Sequence, residues 1–302
     1  MAERHGTGTV LPALALVLNA FVWGVSWWPF RQLQGDGVHP LVATTLVYLV
    51  SVALLLAVRP RAWHAFAGQP LLWLLAAAAG MTNVGFNWAV TVGDVVRVVL
   101  LFYLMPAWSV VLAWAVLDEK PTLPALLRLA LAMTGVAIVL KNANSSWPLP
   151  ETLADALALA GGMSFALTNI MLRKLQSLDA AARVLAMFAG GASMAGATAL
   201  LGMALGFVAA PPLPQNSWFL GLALSLGFLA SNVALQYGAA RLKAHTTALI
   251  MLSEVVFASL SSVALGAAQL SLRTLLGGSL ILVAAAWSAW PASPAAEALH
   301  AK

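Results

Sequence analysis

Apolar residues run for spanning length ten times along this 302-residue chain, and the polar positions collect into short connectors between the runs. A helix needs about 20 apolar residues to cross about 30 Å of hydrocarbon. The pattern predicts ten such helices: Val10 to Phe30, Leu41 to Val58, Leu71 to Val92, Val95 to Val116, Thr122 to Leu140, Leu153 to Leu172, Ala180 to Ala209, Trp218 to Tyr237, Thr246 to Ala268 and Leu272 to Trp290. Connectors such as Arg31 to Pro40 and Pro211 to Gln215 are too short for a soluble domain, so any function is expected inside the bilayer. The opening MAERHGTGTV runs into a full-length span with no small-residue cleavage site, and it is expected to be retained.

The second five spans echo the first five. Laying Asn83 on Asn232 gives a gapless register of some fifty residues, in which Thr82-Asn83-Val84 meets Ser231-Asn232-Val233, Asn87 meets Gln236 and Trp88 meets Tyr237. A second register lays Arg31-Gln32-Leu33-Gln34 on Arg173-Lys174-Leu175-Gln176, which sets Trp23 on Phe165 and Ser26 on Thr168. An odd number of helices per half turns the second half upside down in the membrane. Inverted repeats place a site near the midplane and give two mirror-related conformations of similar energy, the basis of alternating access. The expected fold is therefore all-α, ten transmembrane helices in two inverted five-helix repeats around a central cavity. Residues 1–9 form a cytoplasmic segment, 10–141 the first repeat, 142–152 a periplasmic linker, 153–291 the second repeat and 292–302 a cytoplasmic tail.

Composition agrees with that reading. Charged residues are 8% and apolar residues 62% of the chain, with mean hydropathy +0.90, against about 25% charge in soluble domains. With a cytoplasmic N-terminus, eleven cationic residues fall on the inner side and four (Arg31, Arg97, Lys141, Arg273) on the outer, as the positive-inside rule requires. The net charge of +5 is spread over short loops facing anionic lipid; no basic cluster interleaved with aromatics points to nucleic acid. There is no cysteine, and the five histidines do not cluster as metal ligands. No HExxH, Walker loop or Gly-x-Ser-x-Gly elbow occurs, so neither enzyme chemistry nor a cofactor is expected. A channel fits less well than a carrier, because pores are usually lined by rings of charge or carbonyls from several subunits.

Four stretches carry a family likeness: Trp23-Gly24-Val25-Ser26-Trp27, Tyr103-Leu104-Met105-Pro106, Leu117-Asp118-Glu119-Lys120-Pro121-Thr122 and Gly277-Gly278-Ser279-Leu280-Ile281-Leu282. In that order the chain resembles the EamA-type drug/metabolite transporter superfamily over nearly its whole length. It departs at Ala268, where a glutamate would mirror Glu119. Leu252-Ser253-Glu254-Val255-Val256-Phe257-Ala258 is similar to a Leu-Glu-Pro stretch of amino-acid exporters, with Val255 in place of the proline. The subgroup it most resembles is the YddG-type aromatic amino-acid exporters. The resemblance implies export of small metabolites across a bacterial inner membrane.

Individual residues add chemistry. A carboxylate inside a span costs about 2.5 to 3.5 kcal/mol on insertion scales, so Glu254, on one face with Thr247 and Ser261, needs a reason. It either lines a cavity, meeting a substrate ammonium or a coupling proton, or is protonated and bonded to a neighbouring helix. Asn19, Trp23 and Ser26 share a face of the first span, and Asn83 with Asn87 and Asn232 with Gln236 lie one turn apart. Their amides suit either a zwitterion or interhelical hydrogen bonds. Most of the twelve tryptophans sit near span ends as interfacial anchors. Trp23 and Trp108 fall nearer the middle, with Phe165 and with Tyr103 close by, and serve either ring stacking with a substrate or plain packing. Pro106 is expected to bare the Phe102 carbonyl and kink its helix. Gly202 and Gly206 suggest close helix packing, with a homodimer contact as the alternative. Asp94 and Arg97 read as a local ion pair, with gating as the alternative.

The expected site is thus Trp23, Asn83, Tyr103, Trp108, Phe165, Asn232 and Glu254 around a cavity that takes a small-molecule substrate, an aromatic amino acid first and another metabolite or an amphipathic drug-like cation as the alternative, with lipid as the surrounding partner. Rings would hold the side chain, amides the carboxylate, and Glu254 the ammonium or a proton.

Overall fold

The computed structural model describes residues 7–117, 122–141, 150–212, 218–239, 241–242, 247 and 250–289. Glu119, Lys120, Lys243 and the C-terminal tail, which entered the sequence reading, lie outside the described residues. Every regular element within them is helical: α1 Thr7–Val25, α2 Trp27–Gly35, α3 Pro40–Val58, a 3-10 turn Ala62–His64, α4 Ala65–Gly68, α5 Leu71–Val92, α6 Val95–Phe102, α7 Met105–Leu117, α8 Leu123–Leu140, α9 Leu153–Lys174, α10 Ala180–Ala204, α11 Trp218–Ala239, α12 Ser253–Ala264 and α13 Leu272–Ala289. Among the described residues six helices are long and apolar enough to span a membrane, or seven if Ala62–Gly68 and Leu71–Val92, bent by 117°, count as one span. Leu123–Val139, Ser253–Ala264 and Leu272–Ala284 are shorter apolar helices.

Large apolar side chains such as Leu11, Leu14, Leu272 and Leu275 face outward, while Asn19, Asn83, Asn87 and Glu254 are buried. That inside-out arrangement suits hydrocarbon as the solvent. The chain is a multi-pass membrane protein.

Three spans are broken, each for a local reason. At Ser26 the hydroxyl donates to the Trp23 carbonyl at 2.8 Å, a back-bond that bends helices, and α1 gives way to α2. At Tyr103 and Leu104 the chain makes a turn between α6 and α7. Pro106 has no N–H for the Phe102 carbonyl, as its sequence position predicts. Gly162 of α9 lies against that carbonyl, and a Cβ there would stand 2.5 Å from it. The third break is a turn at Leu252, beside the Ser253 hydroxyl that donates to the Ile250 carbonyl at 2.7 Å. Glu254 therefore occupies the first turn of α12, where the helix dipole favours a carboxylate, rather than the middle of an unbroken helix.

Helices α5 and α9, α5 and α10, α1 and α11, α1 and α12, and α8 and α13 form the main packing pairs. Small residues set several crossings; at Gly80 of α5 an added Cβ would meet the Gly190 carbonyl of α10 at 2.6 Å. One apolar cluster gathers α6 with parts of α5, α9, α12 and α13, and a second gathers α2, α3, α10 and α11. Trp23 packs against both, so α1 sits at their seam.

Two sequence expectations are corrected. Asp94 and Arg97 do not form an ion pair. Asp94 caps α6 by accepting the Arg97 backbone N–H at 2.8 Å, and the Arg97 guanidinium instead binds Asp155 of α9, 58 residues away. Gly202 and Gly206 do not share a helix face, because α10 ends at Ala204. Gly206 has φ 77° in a closing turn in which the Phe207 N–H bonds the Gly202 carbonyl at 2.8 Å and the Gly206 N–H bonds the Met203 carbonyl at 3.1 Å. That is the hydrogen-bond pattern that closes many helix C-termini on a glycine.

Candidate substrate-binding cavity

A cavity of about 100 Å³ opens at the seam of the two apolar clusters. Its wall includes Trp23 of α1, Asn83 of α5, Phe165 of α9, Asn232 of α11 and Glu254 of α12, all expected from the sequence. Tyr103 stands behind this layer, its hydroxyl donating to Glu254 Oε2 at 2.9 Å and lying 3.2 Å from the Met251 carbonyl. Trp108 is not part of the lining; it packs partly buried against the first cluster.

The wall also holds residues that the sequence reading passed over: Tyr48 of α3, Phe86 of α5, Phe102 of α6, Phe188 of α10 and Phe228 of α11. Trp23 stacks on Phe228 with centroids 4.5 Å apart, and Phe102 lies 4.8 Å from Phe86 and 5.4 Å from Phe165. Offset and edge contacts of this kind add about 0.5 to 1.5 kcal/mol per pair. They make a continuous aromatic wall whose faces suit an apolar ring or a cation.

The polar groups of the wall are mostly committed to the protein. Asn83 accepts from the Tyr48 hydroxyl and donates to the Ala79 carbonyl at 2.8 Å, so the amide expected to hold a substrate carboxylate already has a partner at each end. Thr82 and Thr168 spend their protons on the Ala78 and Ser164 carbonyls, both at 2.9 Å. Asn232 accepts from Gln236 at 2.8 Å. Asn19 donates to the Ser231 carbonyl at 2.9 Å, while its own side-chain oxygen is buried without a partner. Glu254 keeps one carboxyl oxygen beyond the one Tyr103 occupies.

Gly24 lets α1 approach this carboxyl-bearing turn. A Cβ at Gly24 would stand 2.8 Å from the Glu254 carbonyl oxygen and 2.8 Å from the Phe257 Cβ.

One end of the bundle is tied shut by polar contacts. Arg97 holds Asp155 and the Val139 carbonyl. Arg31 donates to the Val90 carbonyl at 3.0 Å and to the Gly93 carbonyl, at the C-terminus of α5. Trp27 Nε1 donates to the Ser261 hydroxyl at 3.0 Å, joining α2 to α12.

A broken-helix bundle with a ring-lined central cavity is an architecture found in carriers, and the sequence agrees. Residues 10–141 match the EamA-like transporter family. That match supports a place in the drug/metabolite transporter superfamily and a transport role in the membrane. One solved crystal structure resembles the chain at 18% identity, covering 91% of this chain and 96% of that one, with a TM-score of 0.53; at that identity the likeness concerns the fold. No curated protein matches the chain. Among the described residues no group of three or more His, Asp or Glu is placed to hold a metal ion. Among the described residues the chemistry on offer in this bundle is recognition: ring faces, one carboxyl group and a few amides.

Proposed function

We propose that the protein is a carrier that moves small amphipathic metabolites, aromatic and other neutral amino acids first, by alternating access between two inverted repeats, 10–141 and 153–291. In this reading the three shorter apolar helices complete a set of ten spans, and both termini are cytoplasmic in a bacterial inner membrane. Export is the direction that the family likeness implies. With no ATP-binding motif, transport would draw on a gradient or on the substrate's own concentration difference.

The observation that carries the proposal is the cavity itself, in which residues paired by the internal repeat come together. Trp23 and Phe165 are register partners, as are Asn83 and Asn232, and all four line the same space. The breaks support the repeat as well: the register that lays Asn83 on Asn232 also lays Tyr103, at the break between α6 and α7, on Leu252, at the break before α12. Packing follows the same exchange of halves, α1 lying on α11 as α9 lies on α5. The family match ends at residue 141, where the first proposed repeat ends.

The test is counterflow into liposomes loaded with unlabelled amino acids. Saturable accumulation of labelled phenylalanine and tryptophan above threonine and methionine is the expected result. No accumulation of any of them by folded protein would defeat the amino-acid assignment. A Glu254→Gln variant with wild-type rate and unchanged pH dependence would remove Glu254 from the mechanism.

A further inference from the structure

We infer that the cavity selects the ammonium group and discriminates against the carboxylate, so that its preferred ligands are primary arylalkylamines rather than the parent zwitterionic amino acids. This inference rests on the carrier reading above and names the ligand class of the same site.

Among the described lining residues the charge is one-sided. Glu254 offers a carboxyl oxygen, Asn19 a buried oxygen with no partner, and Thr82 and Thr168 hydroxyl lone pairs whose protons are already given to helix carbonyls. The Tyr48 proton goes to Asn83, and the Tyr103 proton to Glu254. Asn83 and Asn19 have each given one of their two amide N–H groups to a backbone carbonyl, of Ala79 and Ser231. Asn232 is the one lining amide whose nitrogen has no partner among the described residues. Among the described residues no Lys, Arg or His lines the space.

An ammonium brings three donors and accepts nothing, whereas a carboxylate accepts only. The first finds a carboxyl oxygen and ring faces that attract cations. The second finds amide N–H groups but no cationic side chain among the described lining residues, and a carboxylate without a cation in an apolar site is costly.

Equilibrium displacement of labelled phenethylamine from the whole protein in lipid nanodiscs tests the inference. The competitors are phenethylamine, L-phenylalanine and hydrocinnamate, which share the ring and differ only in the charged groups. The expected order is phenethylamine first, L-phenylalanine weaker by about tenfold or more, as one mismatched charged group warrants, and hydrocinnamate without effect. L-phenylalanine methyl ester, which keeps the ammonium and loses the charge of the carboxylate, should recover most of the loss. Glu254→Gln should weaken phenethylamine by about tenfold or more. L-phenylalanine binding as tightly as phenethylamine, competition by hydrocinnamate, or absence of phenethylamine binding would each overturn the inference. The ligand series on the unaltered chain decides the matter even where a variant fails to fold. Counterflow separates the two readings: saturable phenylalanine transport without amine preference leaves the carrier and removes the ligand class, while amine binding without counterflow of any ligand does the reverse.

Discussion

Arg97 grips both carboxylate oxygens of Asp155, at 2.6 and 3.0 Å, and so joins the start of α6 to the start of α9. Asp155 is 1% exposed and also accepts the backbone N–H groups of Glu151 and Thr152 at 3.3 Å. The same guanidinium reaches the Val139 carbonyl near the end of α8, a favourable place for a cation beside a helix C-terminus. Three spans from the two sequence halves thus meet at one pair of side chains, at the end where Arg31 and Trp27 make their own ties.

Asp155→Asn keeps the shape and removes the charge, leaving Arg97 without its ion pair. The protein in detergent should lose about 1 to 3 kcal/mol of stability, seen as a lower Tm. Because the chain has no cysteine, a single reporter at Phe86→Cys reads access to the cavity directly. A polar thiol reagent should label that reporter faster from the Arg97 end in the Asp155→Asn background; equal rates would dismiss the tie as a closure.

Gly24→Ala adds one methyl group where the Glu254 carbonyl and the Phe257 Cβ stand 2.8 Å from the new atom. Overpacking of this kind costs about 1 to 3 kcal/mol, and here it pushes α1 away from the turn that carries Glu254. Counterflow should fall severalfold or more, while Gly35→Ala, which meets nothing within 4 Å, should leave both transport and Tm unchanged.

Two glycines that meet nothing within 4 Å should answer alanine with opposite signs. Gly206 has φ 77°, a left-handed conformation that costs a side chain roughly 1 to 2 kcal/mol, so Gly206→Ala lowers Tm. Gly221 lies within α11, where alanine is better than glycine by about 0.5 to 1 kcal/mol, so Gly221→Ala raises it. Thermal unfolding of the pair against the parent checks both.

Tyr103→Phe removes the hydroxyl that holds Glu254 and leaves the ring in place. Phenethylamine affinity should change by about two- to twelvefold, since one hydrogen bond exchanged for another is worth only about 0.5 to 1.5 kcal/mol. Counterflow should fall by a larger factor than the affinity, because Tyr103 lies in one helix break and bonds across to the other. Equal losses in affinity and rate would make the hydroxyl a simple ligand contact.

Much of the cavity was legible because polar residues are rare in such helices and stand out. Asn83 with Asn232, and Trp23 with Phe165, were paired by register alone, and Glu254 by the cost of a carboxyl group in hydrocarbon. Pro106 announced the break at Tyr103. Phe188 lies in α10, where few polar residues mark which side turns inward, whereas Tyr48 and Phe228 sit one turn from Thr44 and Asn232 and were readable from those polar neighbours but went unread. Asp155 was missed because sequence spacing favours the near partner, Asp94, three residues from Arg97, and a contact 58 residues away leaves no local trace. The break at Leu252 was missed for want of a proline, although the repeat register had a break waiting for it opposite Tyr103.

The hydroxyl of Tyr103 spans two discontinuities in the helical frame, sitting in one and bonding to Glu254 just past the other. A ligand that claims the Glu254 carboxyl group must bargain with that bond. In the proposed carrier, occupancy of the cavity would be felt at two interruptions of the helical frame, and the cargo itself would be the lever that sets the halves in motion.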